Sequence, residues 1–520
     1  MNLNNLYNFK NPIKHFINVD NTKLPENMAS LELKNFSWVK PIKFRVWKRD
    51  DKYRTLKIPN ILNFFRAYEQ FKDYEYFNDI QSMDGERKRL SANIETGDFE
   101  EGEYDRQLEE DFEKLCIYDN LIRIDIKEYY GRIYTHDLQL GSPDENFISN
   151  MNEGATNELI MGNYLSLFLA EKYLAKISND LKIEFEREKI ECEFSYFSDD
   201  FYFFCNKYNN DNVIRIFDNV LEQYDLERNE DKKEIWTYES FNNYNLVERY
   251  WKKVIAHSNT RFKKYIDDSN TEINTNNKLY FINQLIYRMS KLEDNKLKRV
   301  FVNNFFKTKY FKELDLEKYQ VKDYDYHQLC FIFKYSPECM IYSVHKFFEM
   351  TKFDNDKVKS FFKVRYREIL KEPFNDEQLY YYYAIKVFGF NEILQLVNEL
   401  VLKSKNQILI SYYLKDNLFT EDEVSKLKEM DNEKFWFQNY HLILYRVELY
   451  GDLENSVNRY LIPEKATKAI QKETYKDFYI ENLMSRKSFV RDILEVNEEI
   501  DNYLELKYEE SEAQFEEGEE

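Results

Sequence analysis

Two adjacent aspartates lie at the centre of a strongly apolar, aromatic stretch of the chain. The run from Phe194 to Cys205 reads Phe-Ser-Tyr-Phe-Ser-Asp-Asp-Phe-Tyr-Phe-Phe-Cys and contains Asp199 and Asp200. Buried charges are costly unless a partner takes them up, and that partner is often a metal ion. Aromatic residues favour strands, so the run predicts a buried β-hairpin with the acidic pair at its turn. Taken alone, the pair favours a turn whose aspartates cap backbone amides.

A second acidic element lies upstream. Asp125 stands between Ile124 and Ile126, which predicts a strand that ends in a carboxylate, although strand-end aspartates are common. Asp125 and Asp199 are 74 positions apart (199 − 125), enough for a helix and a return to an adjacent strand. Carboxylates from two such elements suit nucleotidyl transfer, in which two Mg²⁺ ions roughly 3.5–4 Å apart activate a hydroxyl and stabilise the leaving pyrophosphate.

A helix start is predicted between these two elements. Gly162 permits a turn that a side chain would forbid, and Leu165, Leu169 and Tyr173 recur at helical spacing. The segment is therefore expected to be a loop that opens an amphipathic helix. A glycine at this point allows nucleic acid to approach the backbone, although for Gly162 alone a plain loop–helix junction is the better explanation.

Read together, these blocks resemble a known family. The order Ile-Asp-Ile-x-x-x-Tyr, Gly-Asn-x-x-Ser-x-x-x-Ala-Glu and Tyr-Phe-Ser-Asp-Asp resembles the palm of a reverse transcriptase. Residues Tyr130–His136 resemble a block of the abortive-infection (Abi) type and related defence-associated bacterial reverse transcriptases. The stretches Leu226–Ile235 and Tyr53–Asn60 are similar to the family's block after the catalytic hairpin and to its fingers block. Together the blocks span roughly residues 40 to 240.

The resemblance implies a set of catalytic residues. Asp125, Asp199 and Asp200 would hold Mg²⁺ or Mn²⁺, and Lys232 would protonate or screen the leaving pyrophosphate. Without the resemblance, Lys232 reads as an ordinary exposed lysine.

The resemblance also implies a nucleotide-binding set. A bulky residue under the sugar would clash with a 2′-hydroxyl and favour deoxynucleotides, and guanidinium and ammonium groups suit triphosphate oxygens. Core or surface positions explain several of these side chains equally well, and a serine in a helix can bond its own backbone. The predicted residues are Tyr130 under the sugar, Arg54 and Lys57 on the triphosphate, and Gly162, Asn163 and Ser166 along the nucleotide and primer pocket.

For activity, the resemblance implies a bacteriophage-defence DNA polymerase that adds dNTPs with little or no template. Priming from a tyrosine hydroxyl, with the DNA product covalently attached, is left open. Many relatives carry Gly-x-Pro where this chain has Glu158-Leu159-Ile160, which fits relaxed template use. Two alternatives stand beside this: a reverse transcriptase that copies a dedicated non-coding RNA, and a catalytically inactive helical interaction protein. The resemblance also implies a homo-oligomer.

The charge of the chain limits the nucleic acid that it can bind. The 520 residues carry a net charge of −20, whereas phosphate binding usually requires a basic surface. Part of the excess is local, because residues 501–520 hold nine acidic residues against Lys507 alone, as in a solvated tail. We therefore expect a product held at the site rather than tight binding to a long free duplex.

Several classes of protein are excluded by the composition. The chain has no long uncharged apolar run and no signal-peptide pattern, so it is expected in the cytoplasm without a membrane span. Five cysteines without a Cys-x-x-Cys motif and six scattered histidines give no obvious zinc site.

The glycines and prolines predict the organisation of the chain. No glycine occurs between Gly162 and Gly389, and turn-rich strand folds need such residues, so long helices are expected after the palm. Apolar residues from Ile393 to Val401 follow a single helical face. Together with the resemblance, this gives a predicted class of α+β: reverse-transcriptase fingers and palm (1–240, with a polar insertion or mobile loop at 83–106), a helical-repeat-like domain (241–505) and an acidic disordered tail (506–520).

Overall fold

The computed structural model describes residues 3–90, 92–93, 98–99, 103–141, 144–245, 280–430, 433–446 and 453–517. The protein is a mixed α+β molecule in which small antiparallel sheets lie in the N-terminal half and the C-terminal half is helical. The predicted class is confirmed at this level.

The strands of the described part form three antiparallel sheets. Two are hairpins, β1–β2 and β3–β4, and the third has four strands in the order β6-β7-β5-β8. Their bounds are β1 Ile42–Arg49, β2 Lys52–Ile58, β3 Ala92–Asn93, β4 Asp98–Phe99, β5 Asn120–Asp125, β6 Cys192–Phe197, β7 Asp200–Cys205 and β8 Glu234–Trp236.

In the described part of the N-terminal half, eight helices accompany the strands, and residues 238–245 are also helical. They are α1 Leu3–Tyr7, α2 Ile13–Phe16, α3 Ile61–Phe71, α4 Glu103–Leu115, α5 Tyr129–Arg132, α6 Asp144–Met151, α7 Tyr164–Glu188 and α8 Asn210–Glu222. The C-terminal half contains α9 Tyr280–Met289, α10 Asn295–Phe306, α11 Lys309–Glu313, α12 Asp323–Tyr335, α13 Met340–Glu349, α14 Asp356–Ile369, α15 Asn375–Val387, α16 Asn391–Gln395, α17 Asn398–Ser404, α18 Gln407–Lys415, α19 Glu421–Lys428, α20 Trp436–Arg446, α21 Leu453–Tyr460, α22 Ala469–Met484 and α23 Ile493–Glu517.

The four-stranded sheet is covered on both faces. On one face the rings of Phe201 and Phe203 lie 5.1 and 5.3 Å from Phe217 of α8. On the other face Leu121 and Phe204 form a separate buried cluster with residues of α4. Successive residues of a strand point to opposite faces, so a strand that is covered twice reads as a continuous apolar run. This explains the aromatic sequence of the predicted hairpin.

The segment before the sheet corrects one prediction. Arg87 and Arg89 pair with the edge of β6, where Tyr196 N donates to Arg87 O and Arg89 N donates to Tyr196 O, both at 2.9 Å. Lys88 is buried and forms an ion pair with the buried Glu171. Residues 87–89 are therefore part of the sheet's packing, and of the two alternatives for 83–106 a mobile loop is wrong for them. Residues 91, 94–97 and 100–102 of that interval lie outside the described residues.

The first residues of the chain pack with the last helices. Asn18 N donates to Phe489 O, and Arg491 N donates to Phe16 O, each at 3.0 Å. The Tyr412 hydroxyl also donates to Phe16 O at 3.0 Å. One buried apolar cluster extends from Leu6 to Leu504. The N-terminal and helical halves thus share a core and do not pack as separate units.

A helix end closes the outer edge of β1. The backbone N–H groups of Arg45 and Trp47 donate to the side chains of Asn375 (2.9 Å) and Asp376 (3.0 Å) at the start of α15. Open strand edges otherwise expose unpaired backbone groups. Arg299 of α10 adds to this junction, because it lies 3.7 Å over the Trp47 ring and binds Glu377 at 2.6 Å.

Two further expectations about the helical half are corrected. Residues 506–517 continue α23, so the predicted disordered tail is helical up to Glu517, and residues 518–520 lie outside the described part. The apolar face at 393–401 is divided between α16 and α17, because the chain turns at Leu396 and Val397. None of the helices in the described ranges has both the length and the apolarity needed to cross a bilayer.

The β1–α15 junction predicts a pH effect on stability. Burial, and then the neighbouring Glu377, raise the pKa of Asp376 to about 8. Between about pH 4 and 8 the folded protein therefore keeps a proton on Asp376 that the unfolded chain releases. The contribution of Asp376 to the free energy of unfolding is complete below about pH 4 and is lost as the pH rises to about 8. Asp376→Asn removes this titration. Relative to Asp376→Asn, the wild-type melting temperature should fall between about pH 5 and 8.

Asp422→Asn is the matched control, since Asp422 is an exposed aspartate on α19. Parallel melting curves for wild type and Asp376→Asn across the whole pH range would contradict the assignment.

Candidate active site

The three predicted carboxylates meet at one end of the four-stranded sheet. Asp125 is the last residue of β5 and lies directly opposite Asp200, the first residue of β7. Ser198 and Asp199 form the turn of the β6–β7 hairpin, with Ser198 at a φ of +53°. Ile126 N donates to Asp199 O at 2.9 Å, which ties the turn to the end of β5. The predicted strand end, hairpin and adjacency are confirmed.

Lys232 lies on Asp125. A loop after α8 brings it there, because Asn229 N donates to Asp125 O at 2.7 Å and β8 then pairs with β5. Lys232 is half-exposed and its ammonium forms an ion pair with the buried Asp125 carboxylate. Burial, and then the charges of Lys48, Arg123, Lys296 and Arg54, lower the pKa of Lys232 to about 8.

Asp200 is held by an arginine of the neighbouring strand. Arg123 stands two residues before Asp125 on the same face of β5. Its Nε and Nη2 donate to the two oxygens of Asp200 at 3.3 and 2.9 Å, and its Nη1 lies 3.6 Å from Glu234. A two-pronged contact of this kind fixes the orientation of the carboxylate.

Asp199 differs from the other two, because it forms no ion pair with any residue that the structure describes. Burial, and then the neighbouring Asp200, raise its pKa above the ordinary value, while Arg54 acts in the opposite direction. The buried Glu171 lies beneath, 3.1 Å from Lys88, and its pKa is raised by burial, against Lys88, and by Asp199. Among the carboxylates at this end of the sheet, Asp199 is therefore the one without a direct ion pair in the described part of the chain.

Tyr130 and Arg54 belong to the same cluster. Burial, and then Glu171 and Asp199, raise the pKa of the half-buried Tyr130, so its ring lies close to these carboxylates. Arg54 is exposed on β2, opposite Val46. Its charge acts on Asp199, Tyr130 and Lys232, which places the β1–β2 hairpin over the end of the sheet.

Lys57 lies apart from this cluster. Three positions separate it from Arg54 on β2, so the two side chains point to opposite faces of the strand. Its ammonium forms an ion pair with Glu158 and donates to Asn152 at 3.2 Å. Glu158 belongs to the stretch that replaces the family's Gly-x-Pro step, and here it neutralises Lys57.

The loop before α7 is also separate from the site surface, because Gly162, Asn163 and Ser166 are all buried. Asn163 caps α7: its Oδ1 accepts from Ser166 N and its Nδ2 donates to Ile160 O, both at 2.8 Å. Gly162 has a φ of +114°, and a Cβ there would stand 2.9 Å from Asn8 Nδ2. The group that approaches this glycine closely is Asn8, so we leave the three residues out of the nucleotide pocket.

The structure adds residues that the sequence analysis did not single out. Arg123 could have been identified from the sequence, because it lies two positions before Asp125 on a predicted strand. Glu171 stands inside one of the quoted blocks but had received no role. No sequence pattern indicates Lys48 or Lys296, because their proximity to the site depends on how the β1–β2 hairpin and α10 pack.

The donors present fit a divalent cation. Carboxylate oxygens are the ligands that Mg²⁺ and Mn²⁺ prefer, and a cation beside Asp199 would offset the burial that raises the pKa of this carboxyl. The Lys232 ammonium occupies the position beside Asp125 that a metal cation would take. Lys232 is half-exposed on a short 3-10 turn, so its side chain can move away from Asp125.

Comparison with known proteins adds no relative: no protein-family model matches the chain, and no curated protein is significantly similar to it. The resemblance to reverse transcriptases therefore stays a prediction that rests on the quoted motifs.

Gly162 gives a test of its structural role. Gly389→Ala should lower the free energy of unfolding by about 1–2 kcal/mol, because φ is +74° there and nothing lies within 4 Å of the added Cβ. Gly162→Ala should cost about 1–3 kcal/mol more, because its Cβ would also collide with Asn8. Chemical denaturation measures both. Equal losses, together with weakened nucleotide binding by Gly162→Ala alone, would return this glycine to the nucleotide pocket.

Proposed function

We propose that this protein is a DNA polymerase of the reverse-transcriptase family, of the abortive-infection type, that adds dNTPs without a template. The four-stranded sheet would be its palm and the β1–β2 hairpin its fingers. The observation that carries the proposal is the β5–β7 register, which sets Asp125 opposite Asp200 and next to Asp199 in a site that Arg54 and Lys232 border.

Asp125 and Asp199 are the residues that would hold Mg²⁺ or Mn²⁺. The bound ions would supply charge neutralisation for the triphosphate and activation of the attacking hydroxyl. Asp200 lies beside them, oriented by Arg123, so its contribution is to the negative charge of the site.

Lys232 would act as the acid for the leaving group. A general acid works best when its pKa is close to the working pH, and the pKa of Lys232 is about 8. Its Nζ can carry a proton to a pyrophosphate oxygen once it leaves Asp125. Arg54 would bind triphosphate oxygens, and the Tyr130 ring would lie under the sugar and select deoxynucleotides.

Synthesis without a template agrees with two features of the chain. Glu158 occupies the stretch where relatives carry Gly-x-Pro and holds Lys57 in an ion pair. The net charge of −20 also disfavours a protein that slides on a long duplex. The proposal includes a tyrosine hydroxyl as primer, a cytoplasmic homo-oligomer and a role in bacteriophage defence.

The direct test uses purified protein, Mg²⁺ and labelled dNTPs, with no nucleic acid added. Wild type should form labelled DNA, EDTA should abolish the reaction, and Asp199→Asn should lower the rate at least about 100-fold. Asp211→Asn, at an exposed aspartate of α8, is the matched control. No incorporation by wild type would overturn the proposal. A product complementary to a co-purified RNA would point to the templated alternative.

A cellular version of the same test addresses the inactive scaffold. Replacement of Asp199 and Asp200 by Ala should abolish the protein's effect on phage growth. A full effect from this variant would show that the helical half acts through binding alone.

The pH profile tests Lys232. Because the protonated ammonium is the active form, the rate should fall as the pH rises through about 8. Lys232→Arg keeps the positive charge but stays protonated throughout this range, so its profile should be flat between about pH 7 and 9. A decline of equal size in both proteins would assign the titration to another group.

A further inference from the structure

A small pocket lies where the helical half meets the tip of the β1–β2 hairpin. Asn295 Nδ2 donates to Asp50 Oδ1 at 3.0 Å, and Arg299 stacks on Trp47. Between these contacts is a cavity of about 210 Å³, lined by Trp47, Asp50, Asn295, Arg299, Phe331, Lys334 and Tyr335.

The pocket presents aromatic surface to solvent. Phe331 of α12 is 45% exposed, and its ring centroid lies 6.1 Å from that of Tyr335 at an interplanar angle of 31°. The Tyr335 hydroxyl donates to Asn295 Oδ1 at 2.7 Å, which fixes that ring. Such rings can stack on flat groups, and nothing in the described part of the chain covers Phe331 fully.

Several cations lie around the pocket, beside the carboxylates of Asp50 and Asp294 near Tyr335. Lys48, Arg49, Arg54, Lys296 and Lys334 form no ion pair with any carboxylate among the residues described. Lys48, Arg49, Arg54 and Lys296 lie close enough to act on one another, since burial, and then Arg54, Arg49 and Lys296, lower the pKa of Lys48, and Lys334 lines the pocket itself. A chain with 95 acidic residues thus leaves several neighbouring cations without a carboxylate partner, which indicates an anionic ligand.

This basic patch continues to the candidate active site. The charge of Asp199 raises the pKa of Lys48, and the charge of Lys296 lowers the pKa of Lys232. Lys296 is held there by the flanking contacts of α10, Asn295 on Asp50 and Arg299 on Trp47. A strand that leaves the carboxylates can therefore follow these cations to the pocket.

We propose that this pocket and its cations bind single-stranded DNA. One base stacks on Phe331 and Tyr335, and the phosphates lie along Lys334, Lys296 and Lys48. Stacking on aromatic side chains needs unpaired bases, and the cavity is too small for a base pair. The identity of the strand as the enzyme's own product rests on the proposed function, whereas binding itself does not.

Binding is measured by fluorescence anisotropy of a labelled oligo(dT) on the full chain, without dNTPs. Phe331→Ala should weaken binding about 5- to 150-fold, the loss expected for one stacked base. Lys334→Ala should weaken binding and lower the slope of log K against log salt by about 0.7.

The controls are matched in residue type and exposure. Phe348→Ala removes a phenylalanine that is 44% exposed on α13, and Lys403→Ala removes an exposed lysine of α17 that pairs with Glu399. Neither should change the affinity. Equal affinities for Phe331→Ala and Phe348→Ala, or duplex DNA or oligo(rU) bound more tightly than oligo(dT), would overturn the proposal.

The dNTP assay separates this inference from the proposed function. Phe331→Ala should keep the rate of first-nucleotide addition and release shorter products. Loss of oligo(dT) affinity in Phe331→Ala, with no incorporation by wild type, would retain the pocket and reject the polymerase. Incorporation by wild type, with unchanged oligo(dT) affinity and product length in Phe331→Ala, would retain the polymerase and reject the pocket.

Discussion

The antiparallel register of β5 and β7 is the constraint on which the rest of the site depends. It sets Asp125 opposite Asp200 at the open end of a sheet that is buried on both faces. A slip of one residue would turn every side chain of the strand to the other face, and the apolar packing on α4 and α8 forbids it. Hydrophobic burial thus fixes acidic groups where repulsion alone would separate them.

The charges at this end of the sheet are balanced unequally. Lys232 forms an ion pair with Asp125, and Arg123 forms one with Asp200. Asp199 has only the longer-range attraction of the Arg54 charge. Removal of one partner from a buried pair leaves a costly charge, so the departure of Lys232 from Asp125 requires another cation to arrive. The site is built to exchange one positive charge for another.

The sequence was informative where local pattern decides the structure. The aromatic run predicted the β6–β7 hairpin and its acidic turn, and the isoleucines around Asp125 predicted a strand end, because burial and strand periodicity are local signals. The predicted disordered tail failed because its acidic residues are also good helix formers. Lys57 had the right residue type, but its partner Glu158 is set by packing. Asn163 instead caps the first turn of α7, a local contact with Ser166 N. Lys296 could not be found at all, since its position depends on how α10 rests on the hairpin.

The closure of β1 by Asn375 and Asp376 has a consequence for the independence of the N-terminal half. Without α15, the amides of Arg45 and Trp47 would face water along an exposed strand edge, the type of surface that recruits strands from other molecules. The start of α15 therefore protects the β1–β2 hairpin, which borders the carboxylates, from pairing with strands of other molecules. Excision of the sheet-bearing half would therefore yield an aggregation-prone fragment.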